Sequence, residues 1–241
     1  MKILLTNDDS ISSEVLLPLA KYLKQFGEVT VVVPKFEQSG KSHCIEIRRA
    51  FEVKQVPLGD EDIRIYTVDS SPADCVRFAV EGMKERFDLV LSGINRGLNL
   101  GVDILYSGTL GAVFEASAFG ISAVALSTQA GGFDEAMAAL DEVKDFFVRH
   151  DLMKKSGLYN VNIPLNHKDI RITRMGERYA VDEFVPQGND MYLPTYKSLW
   201  TDTGSCCTDV DAAMSGYISI SPLVWGRTNL PVYEELKKLN P

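Results

Sequence analysis

The chain opens with the stretch that most constrains its fold, an apolar run that ends abruptly in two adjacent acids. Ile3 to Leu5 form the run, which Thr6, Asn7, Asp8, Asp9 and Ser10 follow directly. An amphipathic segment then begins near Val15. This order predicts a buried strand whose carboxyl end leads into a loop ahead of a helix. Ligands bind at that edge of an open α/β sheet, so Asp8 and Asp9 are the first candidate site residues.

Two later apolar strands also end in loops that carry oxygen donors. Val29 to Val33 leads into the loop that contains Ser39, and Leu89 to Leu91 leads into the loop that contains Asn95. Because ligand-binding loops of such sheets share one edge, we expect these side chains to join the paired acids. Carboxylate, hydroxyl and amide oxygens together suit Mg²⁺ or Mn²⁺. The same residue types are common in ordinary turns, and that alternative stays open at this point.

A separate segment predicts an anion site. Ser107, Gly108 and Thr109 precede a small-residue helix that contains Val113, Phe114, Ala116 and Ala118, and Ser107 or Thr109 is expected to cap it. The free N–H groups at such a helix start can bind a phosphoryl group. A simple helix cap explains the same residues equally well. His43, at the end of the Ser39 loop, is either a general acid or base or a surface histidine.

Strand, turn and helix alternate to about residue 150, which indicates a doubly wound α/β sheet. Further strands are expected at 45–57 and 63–68, and a helix at Pro72 with Ser71 as its cap. We expect one domain over residues 1–241, with a core of about 1–175 plus 217–223. Residues 176–216 lack clear periodicity and are expected to form an arm or hairpin that contributes to an oligomer contact. A terminal helix is expected at about 231–239.

Composition excludes several classes of function. The net charge of −8 argues against nucleic acid as a partner, since no basic stripe is available to neutralise phosphates. A small phosphorylated substrate is not excluded, because a bound metal ion can supply positive charge. No uncharged apolar stretch is long enough for a membrane span, and the start carries no leader pattern, so a cytoplasmic protein without a membrane partner is expected. The four cysteines have no paired spacing and are expected to be reduced.

Several motifs, in this order, resemble the SurE family of stationary-phase survival proteins. They are ILLTNDDS near the start, QSGKSH at 38–43, SPADCV at 71–76, LSGINRGLNLGVDILYSGTLGA at 91–112, TD at 208–209 and GYISISPL at 216–223. The likeness extends from residue 1 to about residue 223, and the stretch at 91–112 is its most specific part. The resemblance implies a Rossmann-like three-layer sheet core and a dimer or tetramer built through exchanged C-terminal segments.

The resemblance also implies a metal-dependent 5'/3'-nucleotidase acting on nucleoside monophosphates and sometimes on polyphosphate. Its metal ligands would be Asp8, Asp9, Ser39 and Asn95, the four residues already reached from the strand ends. The chain departs from the family pattern in two places. Ser10 replaces the usual glycine after the two acids, which implies strain if the backbone there needs a positive φ. Ser70 and Ser71 replace the usual Gly-Thr pair.

The resulting hypothesis is hydrolysis of a phosphate monoester. Asp8 and Asp9 act as catalytic residues by holding one divalent ion with Ser39 and Asn95, while Asn95 and residues 107–109 bind the phosphate. Attack by water and attack by Asp8 are both compatible with the sequence. Two other functions stay open. One is a regulatory phospho-acceptor or nucleotide-binding module, which would need a third acid where Asn95 stands, and the other is a nucleotide-sugar-dependent transferase.

Overall fold

The structure, a computed structural model, describes residues 1–57, 59–60 and 62–239. Its strands are β1 (Lys2–Thr6), β2 (Glu28–Pro34), β3 (Val53–Gln55), β4 (Arg64–Val68), β5 (Leu89–Arg96), β6 (Ser122–Thr128), β7 (Leu158–Ile163), β8 (Ile170–Ile172), β9 (Ala180–Gly188), β10 (Met191–Ser198) and β11 (Ile218–Pro222). Its α-helices are α1 (Leu16–Leu23), α2 (Pro72–Arg77), α3 (Gly108–Ala118), α4 (Phe133–Arg149), α5 (Leu152–Lys155), α6 (Asp209–Met214) and α7 (Leu230–Leu236).

Within these residues, nine strands form one sheet in the order β3-β4-β2-β1-β5-β6-β7-β11-β8. The central pairs from β4 to β7 are parallel, whereas β11 pairs with β7 in antiparallel orientation. From β1 the chain adds β2 and β4 on one side and later adds β5, β6 and β7 on the other. The strand order therefore reverses between β1 and β5, and this switch point is where ligands bind in such sheets.

Alternating apolar residues of β1 face two separate helical layers. Ile3 and Leu5 pack in a core with Leu16 of α1 and Leu140 of α4. Leu4 points to the opposite face and packs in a core with residues of α2 and α3. This alternation is the normal period of a strand buried on both faces. The predicted three-layer α/β architecture is confirmed.

The predicted helix starts are confirmed by their capping hydrogen bonds. The Ser71 hydroxyl accepts the backbone N–H of Asp74 at 3.1 Å, and the Ser107 hydroxyl accepts that of Leu110 at 3.2 Å. Pro18 is tolerated in the first turn of α1, where a backbone N–H has no partner within the helix. Local sequence signals thus place the helix that begins beside the candidate phosphate site.

The predicted strand at 45–57 is largely wrong, since only Val53–Gln55 pairs with β4. In the preceding stretch, the Glu46 side chain accepts the backbone N–H groups of Arg48 and Arg49 at 2.8 and 3.0 Å. Such side-chain contacts hold a turn and compete with strand pairing. Strand β5, in contrast, is longer than predicted, since it continues to Arg96, five residues past its predicted end at Leu91.

The predicted extension at 176–216 contains an exposed hairpin and a buried helix. Strands β9 and β10 pair in antiparallel orientation around Asn189 and Asp190, which both have positive φ angles. Helix α6 lies in the same range but packs through Val210 and Ala213 against Leu100. The terminal helix α7 is capped by Asn229. No helix in the described part of the chain is long and apolar enough to cross a membrane.

Candidate metal and phosphate site

Asp8 connects three segments that are distant in sequence. Its side chain is buried, with 3% of the residue exposed, and its Oδ1 accepts a 2.6 Å hydrogen bond from the hydroxyl of Thr109. Its backbone carbonyl accepts the N–H of Gln38 at 2.8 Å. The loop after β1, the loop after β2 and the start of α3 therefore meet at this acid.

Gly108 lets the start of α3 lie directly against Asp8. A Cβ atom at position 108 would be 2.9 Å from Asp8 Cβ and 3.0 Å from its Oδ2, closer than such atoms approach in proteins. The backbone N–H of Thr109 also favours the charged form of Asp8. The N–H groups and dipole of the helix start therefore face a carboxylate, in the region where an anionic ligand would bind.

The pKa of Asp8 is raised to about 6, mainly by burial and in smaller part by the neighbouring charge of Asp9. The Thr109 hydroxyl opposes this shift by stabilising the carboxylate. The pKa of Asp9 is also raised by burial, while Arg96 opposes the shift and Glu37 adds to it. Two neighbouring acids that are both costly to ionise would be stabilised by a cation between or beside them.

Asp9 is held by the carboxyl end of β5, through a contact that sequence reasoning missed. The backbone N–H of Arg96 donates to Asp9 Oδ2 at 3.0 Å, which places the loop after β1 beside the end of β5. Arg96 directly follows Asn95 in the glycine-rich motif, and this position is the only sequence feature that could have indicated this contact. The contact is made by the backbone N–H, which every residue except proline has, so no residue type identifies it. Asn95 Nδ2 donates to the Gly97 carbonyl at 2.7 Å, which leaves Asn95 Oδ1 as the atom for a cation or a ligand.

The Ser39 hydroxyl has a different partner from the one expected. It donates to Glu37 Oε1 at 2.7 Å and is exposed to solvent. The adjacent Gln38 nevertheless holds this loop against Asp8. Since the hydroxyl donates its hydrogen to Glu37, the lone pairs of the Ser39 oxygen remain available for a cation. The role of Ser39 stays a prediction.

The loop after β1 has the backbone conformation that the family glycine suggests. Ser10 has a φ angle of +72°, in the left-handed region that favours glycine. The Asn7 side chain donates to the Ser10 carbonyl at 3.0 Å and stabilises this turn. The serine therefore imposes strain next to the paired acids without displacing them from the site.

The donor chemistry fits a hard divalent cation. The candidate ligands offer carboxylate, amide and hydroxyl oxygens, the set that Mg²⁺ and Mn²⁺ accept. No group of three or more His, Cys, Asp or Glu side chains is arranged to hold a metal ion in the described residues. Any ion at the Asp8 and Asp9 pair would therefore depend on neutral oxygens such as that of Asn95, with positions left for water and substrate.

Fold and geometry together define a doubly wound α/β protein with a candidate ligand site, lined by oxygen donors, at the switch point of its sheet. The sequence profile of the family described as Survival protein SurE matches residues 3–182. Over nearly its full length the chain therefore belongs to the SurE family, as its motifs predicted.

Individual relatives agree with this assignment. The 5'-nucleotidase SurE of Caldanaerobacter subterraneus subsp. tengcongensis is 38% identical over 249 residues, which cover 99% of this chain and 96% of that protein. The 5'-nucleotidase SurE of Legionella pneumophila subsp. pneumophila is 34% identical, with coverages of 99% and 97%. The crystal structure of the SurE protein from Aquifex aeolicus superposes with a TM-score of 0.81 at 31% identity, covering 99% of both chains.

Proposed function

We propose that this chain hydrolyses nucleoside 5'-monophosphates, and also 3'-monophosphates, to nucleoside and phosphate in a reaction that needs a divalent metal ion. The observation that carries the proposal is the contact of Asp8 with Thr109 at the start of α3, beside the loop of Asn95. The proximity of the Asp8 carboxylate to a helix start, which is suited to bind an anion, supports a joint metal and phosphate site. Relatives named 5'-nucleotidase along the full chain support the same reaction. Polyphosphate is a second substrate to test.

Asp8, Asp9, Ser39 and Asn95 would hold one Mg²⁺ or Mn²⁺ ion in this proposal. When bound, the ion would supply positive charge to the phosphoryl oxygens and make a nearby water more acidic. The protein contributes the position of its donors. Thr109 fixes one oxygen of Asp8, and the Arg96 backbone fixes one oxygen of Asp9.

Residues 107–109 and Asn95 would bind the phosphate of the substrate. The start of α3 would stabilise the phosphate charge through its helix dipole, and Ser107 holds this turn in place before the substrate arrives by accepting the Leu110 N–H. Phosphoryl transfer depends mainly on such positioning and on charge stabilisation. The two other functions that the sequence left open lose support, because the full-length relatives are named as nucleotidases.

Phosphate release from a panel of nucleoside 5'- and 3'-monophosphates, measured with Mg²⁺, Mn²⁺ or a chelator, tests this function. We expect release with one or both metals and none with the chelator. Asp8→Ala and Asp9→Ala should each reduce turnover by at least about a hundredfold, whereas Asp145→Ala, at an exposed position of α4, should not. Full turnover in either site variant would contradict the proposal.

A homodimer or homotetramer and a cytoplasmic location complete the proposal. The hairpin and α7 expose large apolar side chains, including Phe184, Tyr192, Leu193, Tyr196 and Tyr233. Several large exposed apolar side chains on one hairpin are typical of an interface. Light scattering of the intact chain and of Leu193→Glu would test it, with a smaller assembly expected for the variant.

A further inference from the structure

The loop at residues 38–43, which contains Ser39, is attached to the segment of α3 at three points. Ser42 donates its backbone N–H to the Tyr106 carbonyl at 2.8 Å and its hydroxyl to the Leu105 carbonyl at 2.6 Å. Its own carbonyl packs on the helix, since a Cβ at Gly111 would be only 2.3 Å from it. The third attachment is between side chains, where His43 Nε2 lies 2.6 Å from Glu115 Oε2.

The His43–Glu115 pair belongs to a polar network that returns to the same loop region. Glu115 Oε1 lies 3.8 Å from Nε of Arg77, which also pairs with Asp74 at 2.8 Å. Asp74 Oδ2 accepts the backbone N–H of Glu46 at 2.7 Å. The network therefore links both ends of the segment 43–46 to α2 and α3.

The pair is partly shielded from water, which makes it more effective than a surface pair. The side chains of His43 and Glu115 are 28% and 17% exposed, so solvent and salt screen the contact only in part. The His43 ring also stacks on Phe114 with 6.5 Å between centroids, which limits its rotation. His43, four residues after Ser39, is thus held by Glu115 through its Nε2 atom.

We propose that His43 is a positioning residue, whose contact with Glu115 holds the 38–43 loop so that Ser39 can reach the metal ion. The inference rests on the proposed metal site. Ser39 is exposed and lies in a loop, so if that loop were loose it would have to be ordered at the moment of metal binding. A loop already held by His43 avoids most of that ordering. The effect falls on metal affinity, because the pair touches neither the phosphate-binding residues nor the paired acids.

Direct titration of Mn²⁺, with free ion followed by electron paramagnetic resonance, tests this without turnover. His43→Ala and Glu115→Ala should each weaken Mn²⁺ binding by about tenfold, the lower range for residues that orient metal ligands. The double variant should bind Mn²⁺ no more weakly than the weaker-binding single variant, because the two single substitutions remove the same contact. His43→Gln retains an N–H donor and should bind within about twofold of the unchanged protein. The nucleotide KM at saturating Mn²⁺ should not change.

His167→Ala is the matched control. It removes another partly buried His–Glu contact, of 3.3 Å with Glu142, from the segment after β7, three strands away from β1. Its Mn²⁺ affinity should equal that of the unchanged protein. Thermal melts identify any variant that fails to fold, and if Glu115→Ala fails, His43→Ala and its rescue by His43→Gln decide the outcome.

Three results would each overturn the inference without contradicting the proposed metal site. In the first, His43→Ala binds Mn²⁺ like the unchanged protein. In the second, the effects of the two alanine substitutions on Mn²⁺ affinity are additive. In the third, His43→Gln binds Mn²⁺ as weakly as His43→Ala. Either of these would show that the contact between the two side chains is not responsible. If the unchanged protein binds no Mn²⁺, the proposed metal site is wrong, and the inference about His43 is then wrong as well.

Discussion

The hydroxyl of Thr109 donates a 2.6 Å hydrogen bond to Asp8, although the two residues are 101 positions apart in the chain. Both residues are buried. The bond joins the loop after the first strand to the start of α3, and so joins the candidate metal donors to the candidate phosphate site. Metal binding and phosphate binding are therefore expected to depend on each other.

Removing the hydroxyl of Thr109 should lower activity more than removing its methyl group. Thr109→Val keeps the shape but leaves Asp8 without this hydrogen bond, whereas Thr109→Ser keeps the donor. A hydrogen bond to a charged group contributes about 2 kcal/mol. If this amount is lost from transition-state stabilisation, kcat/KM of the Thr109→Val variant should fall by roughly 30-fold. Steady-state kinetics at saturating metal check this. Equal rates for the Val and Ser variants would show that the hydroxyl has no such role.

A side chain at position 108 should separate α3 from Asp8. Gly108→Ala puts a Cβ 2.9 Å from Asp8 Cβ and 3.2 Å from the Gln38 carbonyl, so the loop or the helix must move. We expect a stability loss of about 1–3 kcal/mol together with a fall in kcat. Gly157→Ala is the control, since its nearest neighbour would be 3.9 Å away. Denaturant unfolding and kinetics should show the loss only at position 108.

The metal-free protein should become more stable when Asp8 is made neutral. Burial raises the pKa of Asp8 from 3.8 to about 6 in the folded state, so the folded protein binds a proton more readily than the unfolded chain. The stabilising contribution of the protonated acid is fully present below pH 3.8 and is lost as the pH rises through 6. Asp8→Asn should avoid that loss, with an advantage of on the order of 2–3 kcal/mol above pH 6.

Urea unfolding in chelator at pH 4 and at pH 7.5 checks this expectation. The advantage of Asp8→Asn should appear at the higher pH and be small at the lower one, while activity with metal is lost at both. Asp145→Asn, at an exposed site on α4, should show no such dependence. An advantage of equal size at both values would mean that the Asp8 charge is not its cause.

Relief of the strained turn should stabilise the protein. Ser10→Gly allows the φ angle of +72° at no steric cost, which should add about 1 kcal/mol and raise the melting temperature by a few degrees. The loss of the 3.3 Å contact from the Ser12 N–H to the Ser10 hydroxyl offsets part of this gain. Ser10→Ala removes the same contact and keeps the strain, so it should be less stable than Ser10→Gly in a thermal melt.

Local patterns were sufficient for the elements that carry the site. The break from Leu5 into Asp8 and Asp9 located the end of β1, and Ser107 located the start of α3, because strand burial and helix capping involve residues close in sequence. The prediction of a long strand at 45–57 was wrong because it, too, used only local periodicity. Periodicity cannot show that Glu46 binds nearby backbone groups, and so the strand is limited to Val53–Gln55.

By itself the sequence determined the alternating α/β order, the acids after β1 and the family motifs, since each depends on neighbouring residues. Only the tertiary structure decided the strand order, the Thr109–Asp8 and Arg96–Asp9 contacts, the turn of Ser39 toward Glu37 and the pairing of His43 with Glu115. The long-range contacts among these depend on how distant loops are brought together by strand pairing and helix packing. No pattern of neighbouring residues encodes that arrangement.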